Sequence, residues 1–569
     1  MKNTRIASLA IIAAAGLYTT SCDLVKDVDY TVTPDPLEMH GDSVRVQVKV
    51  KFPEKGIHKK AYAEITPMLG ETTLRPITIQ GEKATANGTV VNSKTGGTVT
   101  YEDVVAYTPD MKVSSLDITG KVFKGGTEKD QLERTKIAEA TIVTPLLVDK
   151  DFKVIYAEDQ FERVTQEVYN ADIHFLKGLH NVRRSELSEQ DIQDFVAWLA
   201  EEQGNERLKI KTINIIGFAS IEGEIIKNGN LSIDRATAAK DAIMKLAAKK
   251  DVANETASGD AAYVTTGRGE DFEGFKEALA LADDISDSDK QLVLRILESY
   301  KDPVQREQEI KNLGATFTSM DKNIFPKQRR SEINVEYDKT GYTDEEMIAL
   351  SKTKIDTLKL EEILFTATLT EDLDEKLRLY KAAQRLFPND YRAFNNAGAV
   401  LFDQGKFDAA KSEINAAKNI EETVITTNNL GAIAGVNGER NKAKSLLEAA
   451  NGAGKEVGYN KGILNIQDGD YGKAVTNFGS DASYNKALAQ LLNDDANAAT
   501  STIKDSEDAT SAQGYYLLAI AAAHKDNLTE VVSNLKNCFN ADASYKQKAL
   551  DDREFIAYAE NAAFTAILK

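Results

Sequence analysis

Side chains able to do acid–base, metal or nucleophilic chemistry are sparse and scattered in this 569-residue chain. Five histidines (His40, His58, His174, His180 and His524) form no close ligand pair. The two cysteines, Cys22 and Cys538, supply neither a thiolate zinc cluster nor a disulfide framework. No GxSxG, HExxH, CxxC, P-loop or dinucleotide-binding sequence occurs, and the glycine pairs at 96–97 and 125–126 read as turns between strands. Neighbouring carboxylates such as Glu361-Glu362 and Asp494-Asp495 fall on helix faces that read as solvated. The 89 acidic and 70 basic side chains leave a net charge of -19, the opposite of the basic surface that phosphate neutralisation requires. The expectation is a protein that is not an enzyme, carries no metal or cofactor and binds no nucleic acid.

One thiol has a setting for chemistry. Lys2 and Arg5 head an apolar run from Ala7 to Leu17, too short to span a bilayer, and Thr19, Thr20 and Ser21 lead into Cys22. This arrangement resembles a bacterial lipoprotein signal. The resemblance implies a signal peptide at 1–21, acylation of Cys22 and a lipidated tether at 22–26. Several acyl chains acting together hold a protein stably at a membrane that it does not cross. The expected location is the outer membrane, with the periplasmic face favoured over the cell surface. Cys538 lies in a helical stretch and reads as a core residue.

The densest set of specifically spaced polar residues lies mid-chain. Residues 208–219 (LKIKTINIIGFA) read as a strand, and Ser232, Ala236, Ala239, Ile243 and Leu246 share one face of the helix that follows. Ile192, Phe195, Val196 and Leu199 mark a preceding helix, and 263–266 and 332–337 mark further strands. The order is that of an α+β two-layer domain. Its loops carry Gly217-Phe218-Ala219-Ser220-Ile221-Glu222-Gly223, then Asn228-Gly229-Asn230-Leu231-Ser232-Ile233-Asp234-Arg235-Ala236, then Gly267-Arg268-Gly269-Glu270. Block by block this succession resembles the OmpA-like peptidoglycan-binding domain in its Bacteroidetes form, over residues 156–338 with a helical insertion at 271–330. The resemblance implies a clamp on the zwitterionic end of diaminopimelate in the peptidoglycan stem peptide. There a carboxylate takes the ligand ammonium and a guanidinium fork takes its carboxylate. Arg235 stands at the family's arginine position. Ser220 stands where the family has aspartate, and Glu222, two residues on, is the candidate replacement. Asn230 and Ser232 complete the candidate set.

The flanking regions read as scaffolding. In the first, at 27–150, Val44, Val46, Val48, Val50 and Phe52 alternate with Arg45, Gln47, Lys49 and Lys51, the period of a half-buried strand. Further strand-like runs at 61–65, 74–79, 89–91, 98–101 and 115–123 are separated by turns, which predicts an antiparallel β-sandwich. From 351 to 569 the pattern becomes alanine-rich helices. Phe394, Ala397, Gly398, Leu401, Gly405, Phe407, Ala410, Ile414 and Ala417 follow the tetratricopeptide signature. Gly398, Gly431 and Gly462 repeat at intervals of 33 and 31 residues. Five or six hairpins in an all-α superhelix are expected, with a concave groove open to protein partners.

These readings combine into a non-enzymatic envelope lipoprotein that contacts peptidoglycan through the OmpA-like domain and scaffolds envelope proteins through its repeats. The alternative is a subunit of an outer-membrane assembly or secretion machinery whose OmpA-like domain has lost wall binding. The anchor has a direct test: Cys22→Ala should abolish fatty-acid labelling and move the protein from the membrane pellet to the soluble periplasmic fraction. Continued labelling and pelleting of the variant would end the lipoprotein reading.

Overall fold

The structure, a computed structural model, describes residues 24–253, 257 and 259–569, so the signal segment and Cys22 lie outside the described residues. Two compact units emerge. One joins the described residues up to Asp159 with Thr370–Lys569; the other is Gln160–Leu369. The linear reading of three successive domains at 27–150, 156–338 and 351–569 therefore differs from the packing. The β region and the helical array fold together, and the second unit is inserted into the chain between them.

The β region is built on Ser43–Phe52, whose valines at 44, 46, 48 and 50 point into the core while Arg45, Lys49 and Lys51 face solvent. Gly97–Ala106 pairs along the whole of one edge of this strand, and Asp29–Val32 and Met39–His40 share the other. The second sheet runs Thr127–Ala140, Ser114–Lys124, Ala61–Leu69, Ile77–Gly81, Thr89–Val91. Val46, Val48, Phe52 and Tyr101 from the first sheet join Ala63, Ile65, Leu116 and Val122 from the second in one apolar core, which makes the sandwich. One pair departs from the antiparallel expectation. Ile77–Gly81 and Thr89–Val91 run parallel, because residues 82–88 carry the chain back instead of turning a hairpin.

Among the described residues, the array has five helical hairpins, preceded by the helix Leu373–Leu386. They are Tyr391–Asp403 with Phe407–Ile420, Val424–Val436 with Arg440–Ala449, Lys455–Asp468 with Tyr471–Asn477, Tyr484–Leu492 with Ala496–Lys504, and Ala512–Ala523 with Leu528–Ala541. Small residues set the spacing inside each hairpin. A Cβ on Gly398 would come within 2.5 Å of the Ile414 side chain, one on Gly431 within 2.9 Å of Leu447, and one on Gly462 within 2.6 Å of Phe478. This is the tetratricopeptide pattern expressed as helix contact. Ser351, where the array was expected to start, lies in the helix Asp344–Thr353 of the other unit.

The sandwich is held directly to the array. The Arg440 guanidinium takes both carboxylate oxygens of Asp42, and the His40 ring meets Tyr471 edge-on at 4.9 Å. Past the last hairpin of the array, the Glu554 carboxylate accepts from the Thr144 hydroxyl and lies 2.8 Å from His524 Nε2.

The inserted unit carries a four-stranded sheet in the order Val164–His174, Arg330–Thr340, Leu208–Ala219, Tyr263–Glu270; the first three are antiparallel and the last is parallel to its neighbour. Helices Gln190–Glu202 and Ile225–Lys249 bury Phe195, Leu199, Ala236 and Ile243 against it. Residues 272–328 form five helices with their own core around Phe275, Val293, Ile310 and Phe325. Among the described residues no helix is long and apolar enough to cross a membrane.

The insertion has a testable consequence. Arg392, in the first hairpin, donates to the Asp159 carbonyl at 3.1 Å, so the chain leaves the first unit beside the helix that follows the one Thr370 leads into. Replacing 160–369 by a short Gly/Ser linker should leave a protein with strand and helix signals and one cooperative melt. Loss of cooperative melting would show that the unit is not self-sufficient.

Candidate functional site

Between the sandwich and the insertion the chain runs extended, without strand partners, from about 148 to 159. Such a segment has backbone donors and acceptors that must be satisfied elsewhere if it is buried. The array satisfies them. Asn485 Oδ1 accepts the Asp149 N–H at 2.9 Å while its Nδ2 donates to the Asp149 carbonyl at 2.8 Å. Asn460 does the same for Lys153 (2.7 and 2.8 Å), Asn429 for Ile155 (2.7 and 2.8 Å) and Asn396 for Ala157 (2.7 and 3.0 Å). Each amide reads both polar groups of one residue, as the neighbouring strand does in a hydrogen-bonded antiparallel pair. The result is an asparagine ladder holding an internal strap.

Repeat geometry places the rungs. Each asparagine lies nine residues before the left-handed residue that closes its hairpin: Gly405 (φ +73°), Gly438 (φ +75°), Gly469 (φ +82°) and Asp494 (φ +66°). In the fifth hairpin the equivalent position, nine before Asp526, is Leu517, and the ladder ends. The strap runs against the order of the repeats, its N-terminal end at the fourth hairpin and its C-terminal end at the first. A second column supports the first. Asn395 adds a bond to the Ile155 carbonyl (3.0 Å) and Asn428 one to that of Lys153 (3.3 Å), and both are fully buried. Amide-to-amide bonds link the columns, Asn429 to Asn395 at 2.9 Å and Asn460 to Asn428 at 3.2 Å.

Strap side chains add specificity. Phe152 is buried against the first helix of the second hairpin, where a Cβ on Gly435 would come within 2.4 Å of the ring. Tyr156 donates to Asp403 Oδ2 at 2.5 Å, and burial followed by that carboxylate pushes its phenol well above the ordinary range, so it stays a donor. Asp151 accepts from the Tyr459 hydroxyl at 2.8 and 2.9 Å and from Asn485 at 3.0 Å, and pairs with Lys153 at 2.7 Å. The groove expected to be open is thus filled by the chain's own residues 149–159.

In the inserted unit, the mid-chain residues come together around the end of the Leu208–Ala219 strand, in roles set by their neighbours. Arg235 is 1% exposed. Its Nε donates to the Leu179 carbonyl (3.1 Å), Nη1 to that of Phe218 (2.8 Å) and Nη2 to that of Leu176 (3.2 Å). Burial, aided by the like charge of Arg329 and opposed by Glu222, lowers its pKa to about 10, so it remains a cation at neutral pH. Ser220 Oγ and Glu222 Oε1 both accept from Arg329, at 3.3 Å and at 2.8–3.2 Å, and Asp321 takes the same guanidinium at 3.0 Å. Arg329 was not among the expected site residues; it comes from the end of the helical insertion. Glu222 Oε2 is buried and has no hydrogen-bond partner among the described residues. Ser232 is structural in form: its hydroxyl donates to the Gly229 carbonyl and accepts the Gly269 N–H at 2.9 Å. Asn230 is exposed, whereas Asn228 bridges the Ser220 carbonyl and Glu270. Among the described residues no group of three His, Cys, Asp or Glu could hold a metal ion.

No family model matches the chain, and no curated protein matches it. Similar solved structures include tetratricopeptide proteins. YrrB, described as having an unusual peptide-binding site, is 18% identical over 36% of this chain and 95% of its own, with a TM-score of 0.21. A tetratricopeptide protein from Parabacteroides merdae is 14% identical over 40% and 91%, with a TM-score of 0.28. The C-terminal part of a repeat protein from Cytophaga hutchinsonii is 15% identical over 40% and 92%, with a TM-score of 0.26. The ladder itself is a property of this chain's own residues.

Substitution of one rung should measure its contribution. Asn429→Ala leaves the Ile155 N–H without its acceptor and removes one of two donors to the Ile155 carbonyl. Leaving buried polar groups unpaired costs ~1–3 kcal/mol each, so urea denaturation of the full chain should show the first unit weakened by about 2–4 kcal/mol. A change under ~0.5 kcal/mol would mean that the ladder contributes little.

Proposed function

We propose that the protein is a non-enzymatic, lipid-anchored scaffold of the bacterial envelope, a subunit of an assembly or secretion machinery, whose OmpA-like domain no longer binds the wall. The observation that carries this reading is the backbone-reading asparagine column on the repeat array, which is machinery for holding an extended polypeptide. Support for the loss of wall binding comes from Arg235, whose three bonds go to main-chain carbonyls, and from Arg329, which takes up Ser220 and one oxygen of Glu222. On this reading the lipid at Cys22 holds the chain at the outer membrane, on its periplasmic face, and envelope proteins are the partners.

One observation favours a second reading, in which the domain still contacts the peptidoglycan stem peptide. Glu222 Oε2 is a buried carboxylate oxygen without a donor, the group an ammonium would satisfy. Sedimentation with purified sacculi separates the two. The scaffold reading expects wild-type protein to stay in the supernatant while in-cell cross-linking captures envelope proteins. Co-sedimentation that falls at least tenfold in Glu222→Gln would restore the wall-binding reading.

A further inference from the structure

We infer that the strap at 149–157 is the resident occupant of an exchangeable peptide site, and that the partner it excludes presents an extended segment with two aromatic residues four positions apart, preceded by an acid. The inference rests on the scaffold reading and names how that scaffold's groove is gated.

Three features carry it. First, all eight ladder bonds go to the main chain of Asp149, Lys153, Ile155 and Ala157. Any extended segment offers those groups at the same ~3.3 Å per residue, so the ladder demands a conformation and not a sequence. Second, the strap has no β-pairing of its own and is covered only in part. Phe152 and Ala157 are buried, while Lys150, Lys153 and Glu158 are exposed, so it can leave without unfolding a sheet. Third, sequence preference resides in few places: the space above Gly435 that takes Phe152, the Asp403 carboxylate that takes the Tyr156 hydroxyl, and the Tyr459–Asn485 pair that takes Asp151. A competitor with Asp-Phe-x-x-x-Tyr chemistry makes the ladder bonds and these three contacts. Because the strap is tethered at both ends, its effective concentration is of order millimolar. An untethered competitor therefore enters only when the strap is weakened or when the partner is itself held nearby.

The test uses the full chain and a fluorescent synthetic peptide covering residues 147–160. Wild-type protein should leave the peptide free in an anisotropy titration. The Phe152→Ala chain should bind it saturably, the same peptide carrying Phe152→Ala should bind about tenfold more weakly or worse, and adding Asn429→Ala and Asn460→Ala to the chain should abolish binding. If the Phe152→Ala chain does not fold, Tyr156→Phe, which removes only the hydroxyl to Asp403, takes its place. A folded strap variant that fails to bind peptide up to ~1 mM, or binding indifferent to the asparagines, overturns the inference. So does a strap variant that sediments as a dimer, since the occupant would then be the strap of a second copy. If peptide binding fails while cross-linking still captures envelope proteins, the gate is lost and the scaffold reading stands.

Discussion

An extended segment cannot be buried unless something other than its own secondary structure satisfies its backbone, and in this protein that something is a column of asparagine side chains. The amides that meet the strap are desolvated: Asn395, Asn428, Asn429, Asn460 and Asn485 are fully buried. Each partner alone would be a liability in the array's core, since an unmatched buried amide costs more than a matched one gains. The strap and the array therefore specify each other. Phe152 reinforces this by filling space that only a glycine at 435 leaves open.

Much of the architecture follows from that dependence. The strap begins where the sandwich ends and stops where the insertion begins, so the sandwich is drawn onto the array by the same residues that fill the groove. Two further contacts, Arg440 with Asp42 and Glu554 with Thr144, then fix it in place. The inserted unit keeps a separate core and a separate sheet, and its polar centre is organised by Arg329 at the end of its helical insertion. Two kinds of buried polar recognition thus coexist in one chain. One uses neutral amides aimed at a main chain; the other uses ionised groups aimed at one another.

Local periodicity made several elements legible. The alternation at 44–52, the glycine spacing of the hairpins and the helix face containing Ala236 and Ile243 are all found where the pattern predicts them. The strand Thr127–Ala140 was missed because nearly every residue before Ala138 is charged or polar; it is an edge strand, where such residues block further pairing. The strap was missed for a different reason. Residues 149–157 show no helix or strand period, and nothing local says that their partners lie some 240–340 residues away. A signal for it did exist in the repeats: Asn396, Asn429 and Asn460 each stand two residues before the hairpin glycine, and Asn485 two before Ala487. A polar residue recurring beside a close-packing glycine is not a core choice unless it has a partner. At the mid-chain site the motif could not show that Arg235 turns to carbonyls or that Arg329 arrives from the insertion.

The asparagine column holds the strap's backbone in the folded protein. Backbone hydrogen exchange in the full-length protein, read residue by residue, tests it most directly. The Lys153, Ile155 and Ala157 amides are expected to exchange far more slowly than those of Lys150 and Glu158, which have no rung. Exchange at all five strap positions at the rate of an unstructured peptide would contradict it.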